Sequence, residues 1–108
     1  VLYPGLTSFP QYELGCRQMS GYSGLMSFEL DTDSLDEVKR FVNSLELFEI
    51  GVSWGGHESL VYAPAISYLK EMSAERFAGM GISPGLVRIS VGLEHPDDLV
   101  TDLDSALG

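Results

Sequence analysis

The chain has 108 residues, enough for one domain with a modest core but short for a free-standing enzyme of ordinary size. Sixteen acidic residues against six basic ones leave a net charge of -10, which repels phosphate backbones and anionic lipid and argues against nucleic acid and membranes as partners. No apolar run approaches the roughly 18 residues of a membrane helix, and the single cysteine, Cys16, has no partner for a disulfide or a zinc knuckle, so a reducing cytoplasm is the expected setting. With no initiator methionine or signal peptide before VLYPGL, residues 1–108 are expected to be one domain of a larger protein.

In chain order, residues 9–20 read as a helix ending at Gly21. Phe9, Tyr12, Cys16 and Met19 fall at helical spacing, which predicts that Cys16 is a buried packing residue rather than a reactive thiol. GLMSFEL at 24–30 alternates like a strand, with Met26, Phe28 and Leu30 on one face. Ser34 with Glu37 three residues on is a capping box, and Leu35, Val38, Phe41, Val42, Leu45 and Phe48 form the apolar stripe of the helix it opens. A second strand, EIGVS at 49–53, precedes a glycine-rich SWGGHES turn and a short extended piece through Tyr62. Two brief helical turns are expected within 65–79.

The run LVRISVGLE at 86–94 reads as the third main strand. Alternation puts Val87, Ile89, Val91 and Leu93 on the core face and Leu86, Arg88, Ser90, Gly92 and Glu94 on the other. A last helix opens with Pro96, Asp97 and Asp98, suited to its positive first turn, and offers Leu99, Leu103 and Leu107 to the core. This succession predicts an α+β fold: a mostly antiparallel sheet of three to four strands with helices packed on one face.

If the strands lie side by side, the face away from the helices carries Ser27, Glu29, Gly51, Ser53, Arg88, Ser90 and Gly92. Glycine weakens a strand, so Gly51 and Gly92 hint that something approaches the backbone closely there. The residues alone leave two readings open: a binding face, or a solvated face with one ordinary surface arginine.

Other motif matches are poor carriers of chemistry. Gly51 to Gly55 fits the G-x-S-x-G nucleophile elbow, and His95 could complete a triad. An elbow must lead straight into a helix, however, and Gly55 and Gly56 make a flexible turn here. Ser67 to Lys70 matches S-x-x-K without that chemistry's companion motifs. His57-Glu58 lacks the second histidine one helical turn on that a zinc protease needs, and no metal site is expected. Asp97 and Asp98 are accounted for by helix-start electrostatics.

The segments YPGL, RQMSGYSG, LMSFEL, VSWGGHESL and LVRISVGLEHPDDLVTDLDSAL resemble, in order and over essentially all 108 residues, the C-terminal domain of the Cys/Met-metabolism (trans-sulfuration) family of pyridoxal-phosphate enzymes. That family includes cystathionine β-lyase, cystathionine γ-lyase, cystathionine γ-synthase and methionine γ-lyase. The SxGGxESL and VRxSVGLExxDDLxxDLxxAL patterns carry most of the likeness. The resemblance implies the small C-terminal domain of a fold-type-I enzyme.

By that resemblance, Arg88 grips the α-carboxylate of a sulfur amino acid substrate, Ser53 lies beside the carboxylate and the cofactor, and Trp54 helps wall the pocket. A guanidinium suits the task because it can hold a carboxylate through two parallel charge-assisted hydrogen bonds. Trp54 resembles the β-lyase branch, where many relatives have leucine, and Val52 departs from the acidic residue that some γ-enzymes place before the serine. The family's cofactor-binding lysine matches neither Lys39 nor Lys70. Pyridoxal 5'-phosphate is therefore expected to be bound mainly by an N-terminal large domain outside this chain, in a cytoplasmic, homotetrameric parent. The implied activity of that parent is carbon–sulfur elimination at the β or γ carbon, and this chain alone is expected to be inactive. Two alternatives remain: a cystathionine γ-synthase-type transferase, or a non-enzymatic α+β protein-binding domain.

Overall fold

The computed structural model describes residues Val1–Gly108. In chain order the elements are α1 (Tyr12–Gln18), β1 (Leu25–Glu29), α2 (Leu35–Ser44), β2 (Glu49–Ile50), β3 (Leu60–Tyr62), α3 (Pro64–Tyr68), α4 (Ala74–Gly79), β4 (Leu86–Ser90) and α5 (Pro96–Leu107). The four strands form one sheet in the order β1-β4-β3-β2, with β4 antiparallel to both neighbours and β2 parallel to β3. The sheet is therefore mixed rather than purely antiparallel. Its parallel pair is only two residues long, and the chain between those strands passes through the SWGGHES loop instead of a tight hairpin. No helix is long and apolar enough to cross a membrane.

One face of the sheet is dry. Val61, Val87 and Ile89 are sealed from solvent, and Val38, Phe41 and Val42 of α2, Leu99 and Ala106 of α5, and Phe48 pack on them. Each side chain of this size contributes about 1.5–3 kcal/mol by leaving water. Phe28 of β1 meets Phe41 edge-on, with ring centroids 5.9 Å apart, which locks α2 across the sheet.

Helix starts follow the expected chemistry with one variation. Ser34 Oγ accepts from the Glu37 amide at 3.4 Å, but the Glu37 carboxylate does not return to Ser34. It takes the Thr32 hydroxyl instead, and Thr32 Oγ1 accepts from the Ser34 amide at 3.0 Å. The reciprocal cap is thus relayed through one more side chain. In α5, His95 Nδ1 accepts from the Asp97 amide ahead of Pro96, Asp97 and Asp98.

Several expectations are corrected. α2 ends at Ser44, so Phe48 is buried from the bend that joins α2 to β2 and not from the helix. Asp102 explains the early stop: its carboxylate accepts from the amides of Glu46, Leu47 and Phe48 at 2.8, 2.8 and 3.2 Å, holding the bend that leads into β2. The same residue alters the face of α5. The buried set there is Leu99, Asp102 and Ala106, with Leu103 packed beside it, and Leu107 is exposed at the helix end. Cys16 is exposed, because α1 is shorter than expected and buries only Gly15.

Asp102 is itself buried, which alone would raise its pKa; the three amide hydrogen bonds outweigh that desolvation and hold the carboxyl below the usual carboxylate value. A depressed folded-state pKa contributes stability that is present above the unfolded value of 3.8 and lost as pH falls through the folded one. Asp102→Ala is expected to cost about 2–4 kcal/mol at neutral pH by leaving buried amides unpaired. Asp102→Asn should lose the part of the acid sensitivity that lies below pH 4; urea denaturation midpoints measured from pH 2 to pH 7 check both.

Candidate functional site

Arg88 lies in the middle of β4 between Val87 and Ile89, both of which point into the core, so its side chain must leave from the opposite face. The strand register sets its neighbours. Ser27 of β1 and Tyr62 of β3 flank Arg88 in one row, and Leu25 and Leu60 flank Ser90 in the next. Arg88 is half-buried there, its guanidinium carbon 5.1 Å from the centroid of the Tyr62 ring, and Nη2 donates to the Val52 carbonyl at 2.7 Å. The ion pairs of the chain are His57 with Glu58 and His95 with Asp97, so Arg88 has no carboxylate of its own chain within ion-pair distance.

The expected side-by-side layout of this face is corrected in three respects. β2 stops at Ile50, and β3 stands between it and β4, so Gly51 and Ser53 are loop residues rather than strand neighbours of Arg88. β4 stops at Ser90, which leaves Val91 and Leu93 exposed instead of in the core. Ser90 is buried rather than open, because the Gly55 amide donates to its hydroxyl at 3.0 Å.

What approaches the backbone at Gly92 is the chain itself. A Cβ at Gly92 would overlap the His57 carbonyl and lie 2.7 Å from the Ser59 amide nitrogen. Around this contact the Gly92 amide donates to Ser59 Oγ at 2.8 Å, the Leu93 amide to the His57 carbonyl at 2.8 Å, and the Ser59 amide to Glu94 Oε1 at 2.9 Å. With Gly55 on Ser90, these bonds fasten residues 55–59 onto 90–94. Gly51 has a similar internal explanation: the Leu60 methyl carbons occupy the space beside it, the nearest 3.2 Å from where a Cβ would stand.

Held this way, Ser53 follows directly on the carbonyl that Arg88 grips, and its side chain is exposed and free of hydrogen bonds within the chain. Trp54 is 63% exposed and lines a hollow of about 270 Å³ together with Ser23, Gly24, Gly55, Gly56 and Ser90. Arg88 does not line that hollow, so the guanidinium and the indole border adjoining but distinct spaces. Tyr62 beside Arg88, and Ser59 and Glu94 at the base of the loop, are neighbours that the sequence pattern does not single out. β3 is a short apolar run, and only knowledge of its pairing with β4 puts Tyr62 beside Arg88.

Residues 1–108 match throughout the family described as Cys/Met metabolism PLP-dependent enzyme. The chain belongs to this family. Over 107 residues, 99% of the chain, it is 49% identical to L-methionine gamma-lyase of Pseudomonas putida and 46% identical to cystathionine gamma-lyase of Mus musculus. It is 43% identical over the same length to cystathionine beta-lyase of Lactococcus lactis subsp. cremoris. The aligned part is 27% of the first two relatives and 28% of the third, so the chain spans about a quarter of the length of the curated relatives it matches. The mixed four-stranded sheet with its helical layer is consistent with the small domain of a fold-type-I member of this family.

Pyridoxal phosphate, which the family uses, does not fit the donor set of this chain. Covalent attachment needs a lysine amine, and Lys39 and Lys70 line a hollow with Val42, Val61 and Ile66 that Arg88 does not border. Near the Val52–Gly56 turn the chain offers one guanidinium and otherwise neutral side chains, Trp54 among them, with no second cation to build a phosphate cradle.

The close approach at Gly92 generates a stability prediction. Gly92→Ala must displace the 57–59 backbone and is expected to cost about 2–4 kcal/mol. Gly21→Ala, where a Cβ meets nothing within 4 Å, should stay within about 0.5 kcal/mol of the parent. Thermal unfolding of the two variants side by side checks the contrast.

Proposed function

We propose that this chain is the C-terminal substrate-binding domain of a pyridoxal-phosphate-dependent carbon–sulfur lyase, and that Arg88 binds the α-carboxylate of its sulfur amino acid. The observation that carries the reading is a half-buried guanidinium without a carboxylate partner, fixed at the edge of the SWGGHES loop in a chain of this family. A buried or half-buried cation is costly without an anion nearby, and a planar fork accepts a carboxylate with two parallel hydrogen bonds. Nη2 already gives one bond to Val52, which anchors the fork at one point while leaving other N–H donors for the ligand.

Pyridoxal phosphate, held by the parent's large domain, supplies the electron sink for the carbanion chemistry. The residues of this chain orient the substrate. Holding the carboxylate against β4 fixes the direction of the bonds at the substrate Cα, so that one proton can be presented to a base outside this chain. Ser53 contributes a hydroxyl beside the carboxylate, and Trp54 offers an apolar wall to the substrate side chain. The reaction is elimination at the β or γ carbon, which with the consumption of one water yields an oxo acid, ammonia and a thiol. The names of the relatives, two γ-lyases and a β-lyase, support the lyase class. The reading carries with it a cytoplasmic homotetramer as the parent.

The test uses the full-length enzyme with cystathionine, methionine and cysteine. Arg88→Ala should lower kcat/KM by about 100- to 1,000-fold, and Arg88→Lys should restore only part of the loss, because a point charge cannot reproduce the fork. Undiminished kcat/KM in the alanine variant would sink the carboxylate assignment. The 108-residue chain by itself should neither turn over these amino acids nor retain pyridoxal phosphate absorbance on gel filtration; either property would overturn the division of labour.

A further inference from the structure

We propose that Tyr62 is a positioning residue that pre-orients Arg88 for the substrate carboxylate. The inference rests on the carboxylate-binding reading of Arg88 and extends it to a side chain that neither the family likeness nor the sequence pattern brings forward.

Three observations carry it. Tyr62 is the cross-strand partner of Arg88 in the β3–β4 register, and the guanidinium carbon lies over its ring at 5.1 Å from the centroid. Tyr62 is itself held in place: Val61 and Ala63 on either side are buried, and β3 is paired on both edges. Arg88 makes one hydrogen bond within the chain, to Val52, and no ion pair. One hydrogen bond leaves a long, flexible side chain free to swing about that contact. A ring under the charge removes much of this freedom.

The form of the interaction matters. Attraction between a cation and an aromatic face uses the charge and consumes no N–H donor, so the guanidinium is restrained without spending the bonds that a carboxylate needs. A carboxylate in the place of Tyr62 would hold the cation more firmly but would compete with the substrate for the same donors. An aliphatic residue would leave the fork disordered, and the ordering would then have to occur on binding. Tyr62 therefore acts on affinity for the carboxylate through Arg88 and touches no reacting atom.

The experiment uses the full-length holoenzyme carrying Tyr62→Leu, Tyr62→Met or Tyr62→Phe. Loss of the ring in the Leu and Met variants should raise KM for the sulfur amino acid about three- to thirty-fold, with kcat within about twofold, and Phe should restore the parent KM. Calorimetric binding of norleucine, which carries the carboxylate but no sulfur, should weaken by the same factor. Norleucinamide, whose carboxylate is replaced, should bind the variants and the parent alike. In an Arg88→Ala background the Tyr62 changes should have no further effect.

Either of two results overturns the proposal: unchanged norleucine affinity in both ringless variants, or equal losses for norleucine and its amide. So does a loss that persists at full size in the Arg88→Ala background. If Arg88→Ala leaves norleucine binding untouched, the carboxylate-binding reading itself fails. If Arg88→Ala weakens norleucine binding and the ringless variants do not, only the role of Tyr62 fails.

Discussion

Val87 and Ile89 are driven out of water, and Arg88 between them has only the opposite face of β4 to occupy. A one-residue slip of the strand would exchange the two sets, expose two large aliphatic side chains and place a charge among Phe41, Val38 and Val61. Burying an unpaired guanidinium costs several kcal/mol, and two aliphatic side chains of this size lose about 3–6 kcal/mol on exposure. The register of β4 is therefore enforced from both sides of the sheet, and the direction of Arg88 with it. The remainder of the site consists of whatever the neighbouring strands bring to that fixed point.

The neighbours arrive from distant parts of the chain and are held by hydrogen bonds more than by packing. Ser59, Ser90, Gly92 and Glu94 join two stretches 33 to 35 residues apart, and Asp102 ties three amides some 55 residues before it to the last helix. These bonds fall at the two ends of the segment that follows α2. Asp102 sets where β2 begins, and the Ser59 to Glu94 group sets where the loop after it comes to rest. Between the two anchors lie Val52, Ser53 and Trp54, all exposed, so the part of the chain proposed to face the substrate is suspended between two fixed points and contributes little to the core itself.

The difference between these two kinds of contact also decides what could be read from the sequence. The strand and helix positions were legible because β1, α2, β4 and α5 each bury a periodic apolar set. The outward direction of Arg88 follows from period-two alternation over residues 86–94, which holds for the five residues of β4 and fails beyond Ser90. Family motifs then drew attention to Ser53 and Trp54. The misses have a common cause. Leu60 to Tyr62 has no alternation long enough to declare a strand, so its insertion between β2 and β4 was invisible, and Tyr62 with it. Nothing in a helix with three leucines at spacing four singles out Asp102, because its three amide partners are set by the tertiary fold. Cys16 was assigned to the core on a helical stripe, yet a stripe reports amphipathicity and not which body it packs against.

Electrostatics at Arg88 runs against the charge of the chain as a whole. Ten excess negative charges oppose the approach of any anion, and they would be decisive if they acted at full strength. They do not, because exposed charges beyond about 10 Å are largely screened at ordinary ionic strength. A guanidinium about 4 Å from a carboxylate, at the effective dielectric of a protein surface, attracts it by about 4 kcal/mol. The contest is settled locally, by one cation that has no acid of its own within reach. The proposed carboxylate site is therefore compatible with so acidic a domain, and it would depend on the position of a single side chain that lies over an aromatic ring and donates to one carbonyl.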